Sequence, residues 1–306
     1  MEGVINLRLL QTLRVMNAQG TVAATARALN LSPSAVSQQL RQLSREVGAE
    51  LWEPDGRRIR LTTAGCVLLH HADLLSAQWE RARADVAEHG GGSYRTLRIG
   101  GFATSIGPLL APTAQQLRDA SPSTRTTVAD IDTRHCYEQL LAGKLDIAVL
   151  TPLPGSPTMD DPRFDQRPLM DDYLDLVVPA AHPLAGCERV ELCETADDDW
   201  ISPHHDQRRL IEALCAASGF APRMVHHADE WPAVLSLISH GLGICLVPRL
   251  VPLTTHPELV RLCVTGDPPP FRRVLTCVRR GSGTQPTISD GLASLRARAA
   301  LSPWAD

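Results

Sequence analysis

The stretch LSPSAVSQQL, residues 31–40, is the most informative in the chain because it predicts the start of a helix. The Ser32 hydroxyl can accept a hydrogen bond from a backbone N–H of the first turn, and Pro33 suits the first helical position. The helix is predicted to continue to about Glu46 and to end before Gly48. Its two faces then decide what it does.

One face of this predicted helix is apolar and the other is polar. The inward residues are Val36, Leu40 and Leu43. The outward residues are Ser34, Ser37, Gln38, Arg41 and Gln42. Hydroxyls, amides and a guanidinium are the groups that contact base edges and phosphates in a major groove. We therefore predict a recognition helix. Its predicted DNA contacts are Ser34, Ser37, Gln38 and Arg41.

The neighbouring segments complete the prediction of a winged helix-turn-helix. An amphipathic helix around residues 9–16 and an Ala-rich helix at 22–29 precede it, and a turn at 54–56 joins two short strands after it. Residues 1–65 hold eight arginines against five acidic residues, a net of +3 in a chain of net −4. A basic segment on an acidic body favours DNA binding by that segment alone. The predicted DNA contacts in the hairpin are Arg57 and Arg58. A three-helix bundle without a DNA role is the alternative.

A long helix is predicted next, from the apolar residues that recur every three or four positions. These residues are Leu61, Ala64, Leu68, Ala72, Leu75, Trp79, Ala82 and Val86. Such a seam favours pairing with a second copy of the chain, and packing on its own chain is the alternative. The glycines at 90–92 then predict a flexible linker. We expect a DNA-binding domain at 1–62, a linker helix at 63–92 and a further domain at 93–306.

The last two-thirds of the chain alternate strands and helices, which predicts α/β units with parallel sheet. We expect two lobes, about 93–167 with 271–306 and about 168–270, with a cleft between them. Hydroxyl and charged side chains follow the predicted strands, where α/β folds bind ligands. They are Thr104, Ser105, Asp132, Thr151, Ser202 and His204. A small polar or anionic ligand is predicted there, and helix capping is the local alternative for each hydroxyl.

Several other classes of protein are disfavoured. A hydrophobic content of 43% and a charged content of 21% are typical of a soluble globular chain, and no stretch is long and apolar enough to span a membrane. No secretory signal is visible, so a cytoplasmic protein is expected. No nucleotide-binding glycine motif, nucleophile elbow or metal-ligand spacing is present, so we expect no enzyme, cofactor or metal. A redox pair of Cys187 and Cys193 stays open as an alternative.

The chain resembles the LysR-type transcriptional regulators over essentially its whole length. The residues that carry the resemblance lie mainly between Asn6 and Gly65. Further matches are Leu97–Gly100, Gly143–Ala148, Pro179–Leu184, Gly241–Gly243 and Val247-Pro248. The family usually has a Gln where this chain has Pro33 and an Arg where it has Pro54. The wing contact is therefore assigned to Arg57 or Arg58.

This resemblance implies an α+β multidomain fold: a winged helix-turn-helix, a linker helix and a two-lobed effector domain like a periplasmic binding protein. It also implies a homo-oligomer, a dimer or a tetramer, that binds interrupted palindromes in double-stranded DNA, with contacts at Ser34, Ser37 and Gln38. The expected function is ligand-responsive regulation of transcription. A stand-alone solute-binding module, whose N-terminal domain only mediates assembly, is the alternative from another class.

Overall fold

A computed structural model describes residues 6–56, 58–89, 95–266 and 268–301. The chain divides into two compact units. The first contains the chain up to Leu169 together with Leu275–Leu301, and the second contains Met170–Val274.

The N-terminal head of the first unit is a three-helix bundle with a hairpin. Its elements are α1 Leu7–Gln19, α2 Val22–Leu29, α3 Pro33–Val47, β1 Trp52–Asp55 and β2 Arg58–Leu61. Each of the three helices begins after a residue whose side chain accepts a hydrogen bond from a backbone N–H of the first turn. Each ends at a residue in the left-handed region: Gly20 after α1, Asn30 after α2 and Gly48 after α3. The sequence stretch at 31–40 therefore begins the third helix, as predicted.

One long helix, α4 Thr63–His89, follows the head. The remaining elements are strands and helices. They are β3 Arg95–Gly101, α5 Ala103–Ser105, α6 Ala111–Ala120, β4 Thr124–Asp130, α7 Thr133–Leu141, β5 Ile147–Leu150, β6 Phe164–Pro179, β7 Arg189–Val190, β8 Asp199–Ser202, α8 His205–Ala217, β9 Arg223–His227, α9 Trp231–Ser239, β10 Cys245–Pro248, β11 Leu259–Val264, β12 Phe271–Arg279 and α10 Pro286–Ala300. Runs of consecutive strands lie at β5–β8 and β10–β12. A π-turn at Ile106–Leu110 lies between α5 and α6.

The sheet of the first unit is mixed. Strand β3 lies between β4 and β5 and is parallel to both, whereas β12 pairs antiparallel with β5. Ile147 of β5 is fully buried, and α10 comes so close to it that a Cβ at Gly291 would lie 2.7 Å from its side chain. The three parallel strands end at one edge of the sheet, and this edge carries the first group of candidate ligand residues.

The second unit contains an antiparallel group and a separate parallel pair of strands. Strands β10 and β11 pair antiparallel with β6, and β8 pairs parallel with β9. Trp200 of β8 is fully buried in the core of this unit. The predicted α/β units with parallel strands are present, and β6 and β12 add antiparallel pairs that had not been predicted. The strand at 259–264 had not been predicted.

Candidate functional site

Helix α3 is fixed in the head by its apolar face. Val36, Leu40 and Leu43 are buried in the core of the head, which also contains Leu13 and Leu51. Burial of these residues turns the opposite face of the helix to solvent. That face is the candidate nucleic-acid interface.

The predicted DNA contacts on α3 differ in exposure. Ser34, Gln38 and Arg41 are exposed, whereas Ser37 is half-buried. Ser32 accepts a hydrogen bond from the Ala35 N–H at 3.1 Å, and its hydroxyl lies 2.9 Å from the Ser34 hydroxyl. The start of α3 is therefore ordered by its own side chains, and the amide of Gln38 and guanidinium of Arg41 project beyond it.

A groove lies beside α3 on the side of the hairpin. Gln38, Arg41 and Arg45 line it from the helix, and Glu50 and Trp52 line it from the following segment. Two cations against one carboxylate make the groove basic. Its chemistry suits a phosphate or the edge of a base.

The hairpin is held against the rest of the head by backbone and side-chain contacts. The Ile59 N–H donates to the Gly20 carbonyl at 3.1 Å, and Arg60 forms an ion pair with Glu53 across the two strands. Arg58 is exposed and has no ion pair within the described ranges. Arg57 lies outside the described residues. Arg58 is therefore the wing cation whose position supports a DNA contact.

The linker helix α4 buries charged side chains. Asp73 accepts a hydrogen bond from Arg14 of α1 at 2.6 Å, and Glu80 accepts one from Arg279 of β12 at 2.9 Å. All four side chains are at most 8% exposed. The seven-residue spacing of Asp73 and Glu80 places them on one face, one facing the head and the other the β12 strand. Sequence reasoning had placed both acids off the apolar seam without finding their partners.

The predicted apolar seam of α4 is divided between two environments. Ala72 is buried and Leu68 is partly buried in the core of the head, so this half of the seam packs on its own chain. In the other half Leu75 is 38% exposed, Trp79 54% and Val86 71%. Val67 and Leu74 extend the exposed apolar surface. We call these five exposed residues the apolar stripe.

Three candidate effector residues follow neighbouring strands of the first unit. Thr104, Asp132 and Thr151 come after β3, β4 and β5, which are adjacent and parallel. The loops are joined directly, since the Thr133 hydroxyl donates to the Thr151 carbonyl at 3.0 Å. Thr104 and Thr151 are half-buried and Asp132 is exposed. These three residues therefore share one edge of the sheet.

Ser105 has a local structural role. It is fully buried, and its hydroxyl donates to the Phe102 carbonyl at 2.6 Å. A Cβ at Gly101 would lie 2.8 Å from this hydroxyl, so the hydroxyl is tightly enclosed. Its hydrogen is already used within the turn that begins α5. Thr104 is therefore the better placed of the two predicted hydroxyls.

Asp132 caps α7 and forms an ion pair with the ring of His135. The carboxylate accepts the His135 backbone N–H at 3.0 Å. Partial burial opposes ionisation of the carboxyl group, but the hydrogen bonds from His135 outweigh it, and the pKa of Asp132 lies below its ordinary value. The hydrogen bond to Asp132 in turn raises the pKa of His135. A ligand at Asp132 therefore meets a carboxylate, which favours a hydrogen-bond donor there.

The second unit supplies the other two candidates. Ser202 is buried at the end of β8, and its carbonyl accepts hydrogen bonds from the Ala228 N–H at 3.0 Å and the His227 ring at 3.1 Å. His204 is exposed and precedes α8. The buried Ser202 hydroxyl makes a long contact, 3.4 Å, to the Pro203 carbonyl. The two residues lie at the junction of β8 and α8.

The cysteines divide equally between surface and core. Cys66, Cys187, Cys193 and Cys263 are exposed. Burial raises the pKa of Cys136 to about 12 and that of Cys215 to about 11, so both stay protonated at neutral pH. Within the described ranges no group of His, Cys, Asp or Glu side chains could hold a metal ion, and no helix is long and apolar enough to cross a membrane. The redox pair of Cys187 and Cys193 stays a prediction.

A basic helix-turn-helix with a wing, a long helix and an α/β region with polar side chains at its strand ends together define a class of protein. This class is the DNA-binding transcriptional regulator with an effector domain. The family comparisons agree over both parts of the chain. The LysR substrate binding domain matches residues 90–300, and the bacterial regulatory helix-turn-helix of the lysR family matches residues 7–66. The chain belongs to the LysR family of transcriptional regulators.

Individual relatives cover most of the chain. The HTH-type transcriptional regulator AlsR of Bacillus subtilis is 27% identical over 227 residues, which span 73% of this chain and 74% of AlsR. Full-length OxyR C199D from Pseudomonas aeruginosa shares the fold with a TM-score of 0.66 and 19% identity, over 99% of this chain and 97% of OxyR. Full-length CbnR in complex with its target DNA matches with a TM-score of 0.56 and 20% identity, over 96% of this chain and 100% of CbnR. These proteins are regulators, and the chain is a DNA-binding regulator of the same family.

Proposed function

We propose that the chain is a cytoplasmic homo-oligomer, a dimer or a tetramer, that binds interrupted palindromic promoter sites and responds to a small polar molecule. The domains we assign are a DNA-binding domain at 1–62, a linker at 63–92 and an effector domain at 93–306. In this proposal the protein regulates transcription rather than catalysing a reaction.

The exposed face of α3 carries the DNA-binding proposal. Gln38 can form two hydrogen bonds with an adenine edge, and Arg41 can contact a phosphate or a guanine. Ser34 and Ser37, which have short side chains, are assigned DNA contacts near the start of the helix. Arg58 is assigned a wing contact that depends on charge rather than base sequence. Arg57 remains a predicted contact on sequence grounds alone.

The apolar stripe of α4 supports self-association. Five large apolar side chains lie exposed on one helix, and their contact with water is unfavourable. A second copy of the same helix offers a matching apolar surface. Pairing through α4 would bring two recognition helices to one DNA molecule, which suits a site with two half-sites.

For the effector we assign Thr104, Asp132 and Thr151 as candidates in the first unit. Ser202 and His204 are the candidates in the second unit, and Ser105 is assigned a supporting role. The carboxylate of Asp132 favours a ligand that donates hydrogen bonds at that point, while neutral hydroxyls accept or donate. A polar ligand therefore fits these residues better than a purely anionic one.

DNA binding is tested with the full chain and the promoter region upstream of its own coding sequence. Fluorescence anisotropy should give tight binding to this DNA and binding at least about 1,000-fold weaker to a random duplex of equal length. The logarithm of affinity for both duplexes should fall with the logarithm of salt concentration. Equal affinity for the two duplexes would refute sequence-specific reading by α3.

Effector binding is tested by thermal denaturation with a panel of small polar metabolites. A ligand that binds the folded chain raises its melting temperature. Thr104→Val should remove the shift, because the methyl group keeps the shape and loses the hydrogen bond. Ser105→Ala is the matched comparison, and we expect it to lower the melting temperature without ligand but to keep the shift. A Thr104→Val variant with an unchanged shift would remove Thr104 from the site.

A further inference from the structure

The first unit contains a cavity away from the strand ends. This cavity of about 470 Å³ is open to solvent on one side and is lined by the head, the linker helix and the region around β3, α7 and β12. The head contributes residues of α1 such as Arg8 and Leu10, and α4 contributes Trp79 and Arg83. This volume lies in the range of sites for small organic ligands.

Hydrogen bonds hold the walls of this cavity together. Gln11 of α1 donates its side-chain amide to the Leu141 carbonyl. The Lys144 ammonium donates to the Arg27 carbonyl at 3.1 Å and to the Asn30 side chain at 3.0 Å. The head is therefore fixed to the wall formed by α7 and its following turn. A cavity between fixed walls is preorganised for a ligand.

The charges around the cavity do not balance. Five arginines line it, and four of them lie within ion-pair distance of a carboxylate: Arg14 of Asp73, Arg98 of Asp146, Arg279 of both Glu80 and Asp146, and, at 3.5 Å, Arg83 of Glu80. Three carboxylates against five guanidinium groups leave an excess of two positive charges.

Arg8 and Arg83 carry this excess. Arg8 is exposed and makes no ion pair within the described ranges. Arg83 lies 3.5 Å from Glu80, a carboxylate that already accepts shorter hydrogen bonds from Arg279 and Gln285. Both guanidinium groups therefore have donors available for an anion.

The cavity also has an apolar wall. Leu10 and Leu141 line it together with Trp79, whose indole is half exposed. Arginine donors beside an aromatic ring and aliphatic side chains suit a molecule with one anionic end and one apolar end. A free inorganic anion would leave the apolar wall uncovered.

We propose that this cavity binds a small organic acid, whose carboxylate pairs with Arg8 and Arg83 and whose apolar body lies against Leu10 and Leu141. The site differs from the strand-end effector residues in position and in charge, because those include the carboxylate of Asp132. A ligand here would contact the DNA-binding head, the linker helix and the effector domain of one chain together. It would therefore stabilise this arrangement of the first unit by mass action.

Isothermal titration calorimetry of the full chain with 2-naphthoate tests the proposal. One binding event per chain is expected, and the neutral 2-naphthamide should bind about tenfold or more weakly. The double variant Arg8→Gln with Arg83→Gln should weaken 2-naphthoate binding by a similar factor. Both residues are exposed, so the variant should fold, and its unchanged melting temperature without ligand checks this.

Two control variants separate this site from other binding. Arg118→Gln removes an exposed arginine elsewhere in the same unit, and Thr104→Val alters the proposed effector residue. Both should bind 2-naphthoate as the wild type does. Absence of binding to the wild type, equal binding of naphthoate and naphthamide, or equal binding by the double variant would each overturn the proposal. Loss of binding in Thr104→Val alone would place the ligand at the strand ends instead.

Discussion

The recognition helix α3 buries apolar side chains only, whereas the linker helix α4 buries charged side chains as well as small apolar ones. Helix α3 buries Val36, Leu40 and Leu43 and exposes amides, hydroxyls and guanidinium groups. Helix α4 buries Asp73 and Glu80 and exposes the apolar stripe. The side chains that each helix leaves in water indicate its partner. A polar face suits DNA, and an apolar face suits a second copy of the same helix.

The inner faces of the two helices also differ in how they are stabilised. The inner face of α3 contributes through apolar burial, which depends on area and hardly on direction. The inner face of α4 includes two buried ion pairs, Arg14 with Asp73 and Arg279 with Glu80, whose strength depends on distance and direction. Loss of one partner from such a pair leaves an uncompensated charge in the interior.

Arg279→Ala should destabilise the chain by about 3–5 kcal/mol, because it leaves the buried Glu80 carboxylate without its shortest ion pair. The free energy of unfolding from urea titration measures this loss. Arg118→Ala is the matched control, since Arg118 is exposed and 3.9 Å from its acidic neighbour, and it should change stability by less than about 0.5 kcal/mol. Equal losses in the two variants would show that the α4 ion pair does not anchor the helix.

Leu75→Asp should dissociate the oligomer, because it places a charge in the contact between two apolar stripes. Light scattering after size-exclusion chromatography should give the mass of a single chain. Met159→Asp adds the same charge at an exposed apolar residue of a loop and should leave the mass unchanged. An oligomer that survives Leu75→Asp would show that the apolar stripe is not the contact.

The contrast between these helices also shows what sequence can predict. The start of α3 at Ser32 and Pro33 and its end at Gly48 were predictable because these residues act through local backbone chemistry. The length of α4 was predictable from the spacing of its apolar residues. The partners of Asp73 and Glu80 were not, since Arg14 and Arg279 lie 59 and 199 residues away in the chain. Spacing along one helix contains no information about such distant partners.

The effector domain shows the same limit. Thr104, Asp132 and Thr151 could be predicted at strand ends, and the order of β4, β3 and β5 explains why they share an edge. The enclosed hydroxyl of Ser105 could not be distinguished from that of Thr104, because the two residues are adjacent in a polar pair. Only the path of the backbone at Phe102 separates them.

Gln38→Ala should weaken binding to the specific site by about 1–3 kcal/mol and relax the preference at one base pair. Anisotropy titrations with single-base variants of the site locate that position. Gln42→Ala is the matched control, because the Gln42 amide already donates to Glu46 at 2.8 Å. If Gln38→Ala loses as much affinity for random DNA as for the specific site, Gln38 does not read a base.

Ser32→Ala should destabilise the head by about 1 kcal/mol, because the Ala35 N–H loses its hydrogen-bond acceptor at the start of α3. The Ser32→Thr variant keeps the hydroxyl and should lose much less. Urea unfolding measures both changes. A loss of 3 kcal/mol or more would mean that Ser32 contributes beyond capping, and α3 would then depend on a polar contact as α4 does.

Acid should weaken the ion pairs that hold α4, in which Arg279 pairs with both Glu80 and Asp146, before it affects the apolar face of α3. Burial opposes ionisation of Asp146, but its hydrogen bond from Arg98 and the charge of Arg279 hold its pKa below the ordinary value of 3.8. The unfolded chain therefore binds a proton at higher pH than the folded chain does. The contribution of ionised Asp146 to the free energy of unfolding is therefore complete above about pH 3.8, and it is lost as the pH falls through the pKa of Asp146 in the folded chain. Carboxyl ¹³C NMR should give a titration midpoint for Asp146 below pH 3.8. The Asp146 signal is assigned as the one that is missing in the Asp146→Asn variant. A midpoint above pH 3.8 would contradict the ion pairs of Asp146 with Arg98 and Arg279.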